Sequence, residues 1–403
     1  MRIAQVAPLA ESVPPRLYGG TERVVSWLTE ELASLGHDVT LFASADSLTS
    51  ASLVPVWPRA LRLSRPAPDP YAPYSVLLEK LVERVSSFDV IHCHIDWLHL
   101  PLLRCLQVPF LTTLHGRLDL GYIQTTMHSF PQAPFVSISD NQRAPLPDAN
   151  WLATVYHGMP TTALEPCYEP DRYLAFLGRI TPEKGPESAI RLARGSGRPL
   201  RIAAKVPRGE SRYFKERIEP LVDGASVDFI GEVGDNTKEN FLGKAAALLF
   251  PIDWPEPFGL VMIEAMACGT PVIAMRRGSV PEIIEDGVTG FVVDNEEQAL
   301  AAIGHLGTID RRRVRKEFER RFSVDRMANE YLQLYKMLAR ESCIENGARV
   351  PIRQVVLPPQ RRREGISAED TLAQPEHVAI RSGFVRPDEG EGRVSETTIN
   401  SLK

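Results

Sequence analysis

Short apolar runs alternate with stretches of helical periodicity along most of the chain. Residues 3–7 form the first apolar run, and the next, at 38–42, follows a stretch in which Val24, Leu28 and Leu32 recur at helical spacing. Apolar runs of this length are typical of parallel strands that are buried on both faces. The succession of strand, helix and strand therefore predicts an α/β fold that is built from βαβ units.

The alternating pattern occurs twice, which predicts two α/β domains. First-series strands are predicted at residues 3–7, 38–42, 88–94, 109–114, 135–140 and 154–159, and second-series strands at 173–179, 200–206 and 227–233. A segment with prolines at 164–171 lies between the two series and is predicted to be a linker. The predicted organisation is a first domain at 1–165, a second at 166–322, a closing helix at 323–340 and a disordered tail at 341–403.

The most apolar helix is predicted at residues 258–267 (FGLVMIEAMA). Pro257 suits the first turn of a helix, Gly269 suits a left-handed C-terminal cap, and Pro271 prevents the helix from continuing. Since only Glu264 interrupts its apolar surface, this helix should be buried. A buried carboxylate is costly unless it is paired or hydrogen-bonded, so we expect a partner for Glu264.

Two carboxylates flank the start of this predicted helix. Glu256 precedes Glu264 by eight positions, which at the helical rise places them roughly 9–12 Å apart. The N–H groups of Phe258, Gly259 and Leu260 would lie between them, at the positive end of the helix, where phosphate binds readily. One carboxylate could then bind hydroxyls on one side of a bound diphosphate, and the other could bind hydroxyls on the far side. A nucleotide sugar has this layout. The alternative is two unrelated glutamates.

Two glycines and a histidine stand where predicted strands give way to loops. Gly19 and Gly20 precede the first helix, and His115 follows the strand at 109–114. Ligands gather at the carboxyl ends of parallel strands, and glycine lets the backbone approach them closely. A plain turn and a structural histidine are the alternatives, and they stay open on this evidence alone.

Two cations follow the first strand of the second series. Arg179 ends the strand at 173–179, and Lys184 comes five residues later, before a helix. Cations at a strand tip suit a diphosphate, which arginine can bind through two parallel hydrogen bonds. Ordinary surface charge is the alternative.

These motifs together resemble those of the retaining glycosyltransferases of family 4. The spacing of Glu256 and Glu264, with PEPFG around the first and a following A-x-G-x-PVIA, is similar to the Glu-x7-Glu motif of that family, and Arg179 and Lys184 match its Gly-Arg…Glu-Lys-Gly pattern. The resemblance spans about residues 1–338. It implies a GT-B fold, in which two Rossmann-like domains face each other across a cleft, and a bacterial enzyme of polysaccharide or glycoconjugate biosynthesis.

The resemblance also implies a reaction and a set of site residues. A sugar would pass from a nucleotide-diphosphate sugar, UDP- or GDP-linked, to a hydroxyl acceptor with retention of the anomeric configuration, without metal or cofactor. The implied catalytic residues are Arg179, Lys184, Glu256 and His115, and the implied substrate-binding residues are Gly19, Gly20, Phe258, Gly259, Leu260 and Glu264. The family's glycine-rich turn near position 205 is replaced by Lys205-Val206-Pro207, which puts a nucleotide contact there in doubt. His157 departs from the family's Asn-Gly-Val segment and receives no role.

Composition excludes several other classes of protein. The chain has 403 residues, with 43% hydrophobic and 24% charged residues and a net charge of −5, which fits a globular protein and gives no sign of nucleic-acid binding. Five scattered cysteines and no evident leader predict a reducing cytoplasm. No apolar run reaches the length of a membrane span, although peripheral contact with the inner membrane face stays open. The prolines and arginines at 53–74 predict a solvated loop, with an acceptor or lipid contact as the alternative.

Candidate metal ligands and charged clusters have simpler explanations. His92, Cys93 and His94 suggest zinc, but neighbours on a strand point to opposite faces, and no second ligand pair follows at a recognised spacing. The basic residues at 311–321 are predicted to be a solvated helix face. Asp96 and Asp119 are the nearest candidates for the base that an inverting enzyme would need, and neither has an identifying spacing.

Three rival functions follow from the same fold class. A nucleotide-sugar isomerase or hydrolase would consume donor without forming an acceptor product. A non-catalytic nucleotide-sugar-binding protein would bind donor without turnover. A dehydrogenase is disfavoured because no G-x-G-x-x-G stretch follows the first strand.

Overall fold

The computed structural model describes residues 1–345, except for Leu17, residues 65–68 and Pro70. Within this part of the chain, thirteen strands form two separate sheets, and every strand pairing in both sheets is parallel. Helices follow nearly every strand, as the alternating apolar pattern predicts. The two-domain α/β fold is therefore confirmed.

The first sheet has the order β3-β2-β1-β4-β5-β6-β7, and the second has the order β10-β9-β8-β11-β12-β13. The strands of the first sheet are β1 (Arg2–Val6), β2 (Asp38–Ala43), β3 (Ser52–Pro55), β4 (Val90–Cys93), β5 (Phe110–Thr113), β6 (Phe135–Ser137) and β7 (Trp151–Thr154). Those of the second are β8 (Leu174–Arg179), β9 (Leu200–Lys205), β10 (Val227–Gly231), β11 (Ala247–Phe250), β12 (Val272–Met275) and β13 (Gly290–Val293).

Thirteen α-helices surround these sheets in the described residues. They are α1 (Gly20–Ser34), α2 (Ala72–Val82), α3 (Leu100–Leu106), α4 (Gly121–His128), α5 (Asp140–Arg143), α6 (Pro186–Ser196), α7 (Ser211–Tyr213), α8 (Asp235–Gly243), α9 (Leu260–Ala267), α10 (Val280–Ile283), α11 (Glu296–Gly304), α12 (Arg311–Phe322) and α13 (Val324–Glu345). Short 3₁₀ turns occur at Leu61–Leu63, Val85–Ser87, Pro182–Lys184, Arg208–Glu210, Glu219–Leu221 and Leu306–Thr308, and a π-helical turn occurs at Phe214–Ile218.

Each sheet reverses its strand order at one point, and these reversals place the ligand site. In the first sheet the reversal lies between β1 and β4, and in the second it lies between β8 and β11. Loops that leave adjacent strands at such a point diverge to opposite faces of the sheet, which opens a crevice at the carboxyl ends of the strands. The crevices of both sheets contribute to a single cleft, which is described below.

The buried helix begins later than its sequence predicts. We predicted a helix at 258–267, but α9 begins at Leu260, because Gly259 adopts a left-handed conformation with φ of 81°. A larger residue would be strained in this conformation, and its Cβ would lie 2.8 Å from the Cε atom of Met262, which would have to move. The predicted end is confirmed: Gly269 has φ of 73°, and the N–H of Thr270 donates to the carbonyl of Ala265, as in a Schellman cap.

Two strands of the first sheet differ from the sequence prediction. β3 pairs with β2 and overlaps the start of the segment at 53–74, which was predicted to be a solvated loop. The strand predicted at 154–159 lies earlier, at Trp151–Thr154. Both are edge strands of the first sheet, where a side chain packs on fewer partners and the apolar pattern is correspondingly weaker.

The basic segment at 311–321 is not simply a solvated helix face, so that prediction is wrong for two of its arginines. Arg311 is buried and donates to the carbonyl oxygens of Cys167, Ala245 and Gly243 and to the hydroxyl of Thr270. Arg315 is also buried and donates to three carbonyl oxygens, those of Leu164, Ala267 and Thr161. Each guanidinium therefore donates hydrogen bonds to carbonyl oxygens of neighbouring segments that pack against α12.

The last described helix packs against the first sheet. Tyr331 and Tyr335 of α13 are buried among the core residues around α1, β1 and β4. The helix runs to Glu345, past the predicted boundary at 340, and residues 346–403 of the predicted tail lie outside the described residues. Among the helices that the structure describes, none combines the length and the apolar composition that a membrane crossing requires.

Candidate functional site

A cleft of about 630 Å³ lies between the carboxyl ends of the two sheets, which is within the usual size of small-molecule sites. The structure brings all ten sequence-predicted site residues to its walls: Gly19, Gly20, His115, Arg179, Lys184, Glu256, Phe258, Gly259, Leu260 and Glu264. The loop after β1 comes close to the start of α9, since a Cβ on Gly20 would lie 3.4 Å from the Cδ1 atom of Leu260. Both domains therefore contribute backbone to the same part of the cleft.

Lys184 and Glu256 form a largely buried ion pair in the cleft wall. Their side chains are 14% and 11% exposed, and Lys184 Nζ donates to Glu256 Oε2. The ammonium also lies 4.6 Å from the centroid of the Trp254 ring, a distance at which a cation–π interaction is favourable. The 3₁₀ turn that carries Lys184 is joined to the loop after β11, because the N–H of Asp253 donates to the carbonyl of Glu183. The pair is thus held by two adjacent strand ends.

Glu264 has the partner that its burial requires. Lys238 of α8 donates to Glu264 Oε1 at 2.8 Å, and the two side chains are 12% and 9% exposed. Lys238 also lines the cleft and was not anticipated from the sequence. Its helix carries mixed charges without a recognisable motif, so no local signal pointed to it.

Two cations of the second domain approach a tyrosine of the first. The guanidinium of Arg179 lies 5.8 Å and the ammonium of Lys205 lies 5.9 Å from the centroid of the Tyr18 ring. Burial is the main cause that raises the pKa of Tyr18, so its phenol stays protonated at neutral pH. Lys205 thus lines the cleft, although it stands where the sequence departs from the family's glycine-rich turn.

A chain of buried hydrogen bonds leads from α13 to His115. Tyr335 accepts a hydrogen bond from the amide of Gln5, Gln5 Oε1 contacts His94 Nε2 at 2.9 Å, and His94 Nδ1 contacts His115 Nε2 at 2.9 Å. Because a carbonyl oxygen only accepts, this amide orientation places protons on the Nε2 atoms of both histidines and leaves His115 Nδ1 unprotonated. The sequence did not indicate Gln5 or His94 as partners of His115.

Burial keeps these histidines uncharged. It lowers the pKa of His115 to about 3 and lowers that of His94 well below its usual value. His157 stacks on His115 at 5.2 Å between ring centroids, and burial lowers its pKa as well. At neutral pH this side of the cleft can therefore bind hydroxyl groups but does not attract anions through its histidines.

Metal binding has no support in the described part of the chain, where no group of three or more His, Cys, Asp or Glu side chains is placed to hold an ion. His92 and His94 are occupied instead by hydrogen bonds to Tyr335, Thr113, Gln5 and His115. The cationic side chains Arg179, Lys184, Lys205 and Lys238 are the positive charges that the second domain presents to a ligand.

Two family models match different parts of the chain. Residues 18–148 match the model of Glycosyltransferase Family 4, and residues 165–314 match the model of Glycosyl transferases group 1. The D-inositol 3-phosphate glycosyltransferases of Mycobacterium tuberculosis and Mycobacterium bovis are 37% identical to this chain over 142 residues. That match spans 34% of this chain and only 29% of those relatives.

Solved structures of glycosyltransferases share the whole fold. AviGT4, a glycosyltransferase involved in avilamycin A biosynthesis, is 25% identical with a TM-score of 0.66, and the match covers 84% of this chain and 98% of AviGT4. Sucrose-phosphate synthase from Thermosynechococcus elongatus is 20% identical with a TM-score of 0.69, over 84% and 99% of the two chains. Anabaena Alr3699/HepE, solved with UDP and glucose, is 18% identical with a TM-score of 0.65, over 84% and 100%.

Proposed function

Since this chain belongs to the glycosyltransferases of the family 4 type and has their GT-B fold, we propose that it transfers a sugar from a nucleotide-diphosphate sugar to a hydroxyl group with retention of configuration. The observation that carries the proposal is the meeting of ten motif residues from both domains on one cleft. Fold alone would not suffice, because similar folds host unrelated reactions.

The cations of the second domain suit the diphosphate. Arg179 and Lys184 both line the cleft, and the Nε atom of Arg179 is buried without a hydrogen-bond partner among the described residues. Leu260 opens α9, so its N–H group and those of its neighbours add the positive end of a helix dipole. These groups would stabilise the charge that develops on the leaving diphosphate, which is the role of a preorganised electrostatic site.

The two glutamates suit the two ends of the donor. Glu256 lies in the cleft wall beside Lys184, where it can orient hydroxyls of the transferred sugar. Glu264 uses one oxygen for Lys238, so its other oxygen can accept hydrogen bonds from ribose hydroxyls. His115 and the Gly19–Gly20 loop border the remaining space next to the sugar.

Retention is proposed from the resemblance of Glu256 and Glu264 to the motif of retaining enzymes, and the pairing of Asp119 makes that carboxylate poorly suited to act as a base. Asp119 forms two hydrogen bonds of 2.6 Å with Arg117, and this pairing is the main cause that lowers the pKa of its carboxyl group. In the proposed reaction the bond from the anomeric carbon to the diphosphate breaks, and the acceptor oxygen forms its bond on the same face. The acceptor proton passes to the oxygen of the leaving phosphate, so no protein base is needed.

Two comparisons suggest which donors and acceptors should be tested first. HepE, which shares the fold, has been solved with UDP and with UDP-glucose, so UDP-sugars are the first donors to test, followed by GDP-sugars. The mycobacterial relatives are named for D-inositol 3-phosphate, which makes it one acceptor to include. Neither comparison names the acceptor of this chain.

The test is a donor screen that is followed by product analysis. Thermal shifts with UDP, GDP and their sugars should identify the donor, because ligand at 100 times Kd adds about 2.7 kcal/mol to stability. Proton NMR of the first-formed product should then show an α linkage from an α-linked donor. A β linkage would refute retention, consumption of donor without an acceptor product would favour an isomerase or hydrolase, and binding without turnover would favour a binding protein.

A further inference from the structure

We propose that Asp96 binds the acceptor: its carboxylate, on the first-domain side of the cleft, accepts a hydrogen bond from an uncharged hydroxyl of a polyol. The inference rests on the proposed function, because it assigns the second substrate of the same cleft. It gives Asp96 a binding role and not that of a base, since the leaving phosphate takes the proton in a retaining reaction.

The backbone of Asp96 has an uncommon conformation. Its φ is 54°, and only one other non-glycine residue in the described part of the chain, Gln107, has a positive φ. Aspartate tolerates this left-handed region better than most residues, yet glycine would adopt it without strain. Residues that keep an uncommon conformation are concentrated at functional sites. Asp96 follows β4 at the reversal of strand order, where a ligand is expected.

Among the described residues, the carboxylate of Asp96 makes no polar contact that would stabilise the fold. It lines the cleft and is accessible to solvent there, and it has no hydrogen bond or ion pair with any residue that the structure describes. Arg117 is paired with Asp119, and Arg62, on the same side of the cleft, is paired with Glu11 at 2.8 Å. The cleft walls partly desolvate this solvent-accessible carboxyl group and raise its pKa to about 6, so it is still mainly ionised at neutral pH. An ionised carboxylate without a partner, facing a cleft, is available to a ligand.

A tyrosine hydroxyl lines the same cleft as this acceptor group. Tyr74 lines the same side of the cleft, and its oxygen accepts a hydrogen bond of 3.2 Å from the N–H of Leu9. Asp96 lines the same cleft, and the burial of Tyr74 is the main cause that raises the pKa of its phenol. The phenolic hydrogen has no acceptor among the described residues, so Tyr74 can donate to a ligand while Asp96 accepts from it.

This pair favours an uncharged polyol over a phosphorylated one. A sugar or inositol hydroxyl is both donor and acceptor, so it can satisfy Asp96 and Tyr74 together. A phosphate at the same position would set two anions against each other in a desolvated wall, which is unfavourable. Two arginines, Arg23 and Arg62, also line this side, but Arg62 is paired with Glu11 and Arg23 also has a partner, so both are already engaged.

The experiment uses matched acceptors and matched variants of the full chain. With saturating donor, transfer is measured to glucose, myo-inositol and octyl glucoside, and to glucose 6-phosphate and inositol 3-phosphate. Asp96→Asn removes the charge of the side chain, and Asp96→Gly removes the side chain while relieving the backbone strain. The control, Asp119→Asn, removes a paired carboxylate that does not line the cleft. The two Asp96 variants should still bind the donor, and any slow hydrolysis of the donor by water should continue at the wild-type rate. Their kcat/KM for the uncharged acceptor should fall by about 10- to 100-fold. Asp119→Asn should transfer at nearly the wild-type rate.

Three outcomes would overturn the inference. Wild-type kcat/KM in Asp96→Gly would show that Asp96 serves only the backbone turn. Transfer to the phosphorylated acceptors alone, or to none of the five while donor is consumed, would refute the proposed acceptor class. A wild-type protein that neither binds nor consumes any nucleotide sugar would instead refute the proposed function, so the two failures are distinguishable.

Discussion

Replacing Lys184 by methionine separates its catalytic role from its structural one. The change keeps the length and apolar stem of the side chain but removes the ammonium that donates to Glu256 and lies over Trp254. If Lys184 stabilises the leaving diphosphate, kcat should fall by about 100- to 1,000-fold, the usual cost of one lost electrostatic donor, or about 2.7–4 kcal/mol. UDP should still bind, because Arg179 and the start of α9 remain.

The same change should destabilise the fold, because it leaves Glu256 buried without its cation. Both side chains are less than 15% exposed, so the free-energy loss should lie near the lower end of the range for a broken buried pair, about 3 kcal/mol. The double variant with Glu256→Leu removes the stranded charge and should recover most of this loss. It should recover none of the turnover, because Glu256 is itself proposed to contact the sugar.

The assays are thermal melts, UDP titration and single-turnover transfer on the wild type, both single variants and the double variant. A Lys184→Met variant with near-normal kcat would refute the assigned role. A double variant that regained activity together with stability would show that Lys184 acts only by balancing the charge of Glu256. Either result would require the diphosphate site to be placed elsewhere in the cleft.

Three further predictions concern stability and metal dependence. Replacing buried Arg311 by methionine should cost about 3 kcal/mol, since it leaves several carbonyl oxygens without donors, whereas Arg313→Met on the exposed face of the same helix should be nearly neutral in urea denaturation. Stability should fall between pH 6 and 5, because the histidines of the unfolded chain take up protons there while the buried histidines of the folded chain stay uncharged; the raised pKa values of Asp96 and Glu22 oppose this only in part. The histidines with lowered pKa values are His92, His94, His99, His115 and His157; denaturation midpoints that do not change over this pH range would contradict the prediction. Transfer activity should survive EDTA, and a complete loss that a divalent ion restores would refute metal independence.

The alternation of apolar runs and helical stretches determined the architecture. Eight of the thirteen described strands (β1, β2, β4, β5, β6, β8, β9 and β10) coincide with predicted runs, because a parallel strand that is buried on both faces must be apolar along its whole length. The motifs on the loops after β1, β5, β8 and β11 were equally visible, because glycine, arginine, lysine and glutamate at these positions are local in sequence. The structure then showed that these loops meet at one cleft, which follows from parallel strands having their carboxyl ends on the same side.

Only the tertiary structure decided the partners of the buried charges. The sequence required a partner for Glu264 but did not identify Lys238, which lies 26 residues away on another helix. Likewise, nothing local distinguishes buried Arg311 from exposed Arg313, since the difference is which face of α12 meets the carbonyl oxygens of other segments. The start of α9 depended on a left-handed glycine whose surroundings, Met262 and Phe250, are brought together by packing. Local patterns specify which side chains need burial or pairing, whereas the choice of partner depends on distances between segments that no single stretch of sequence contains.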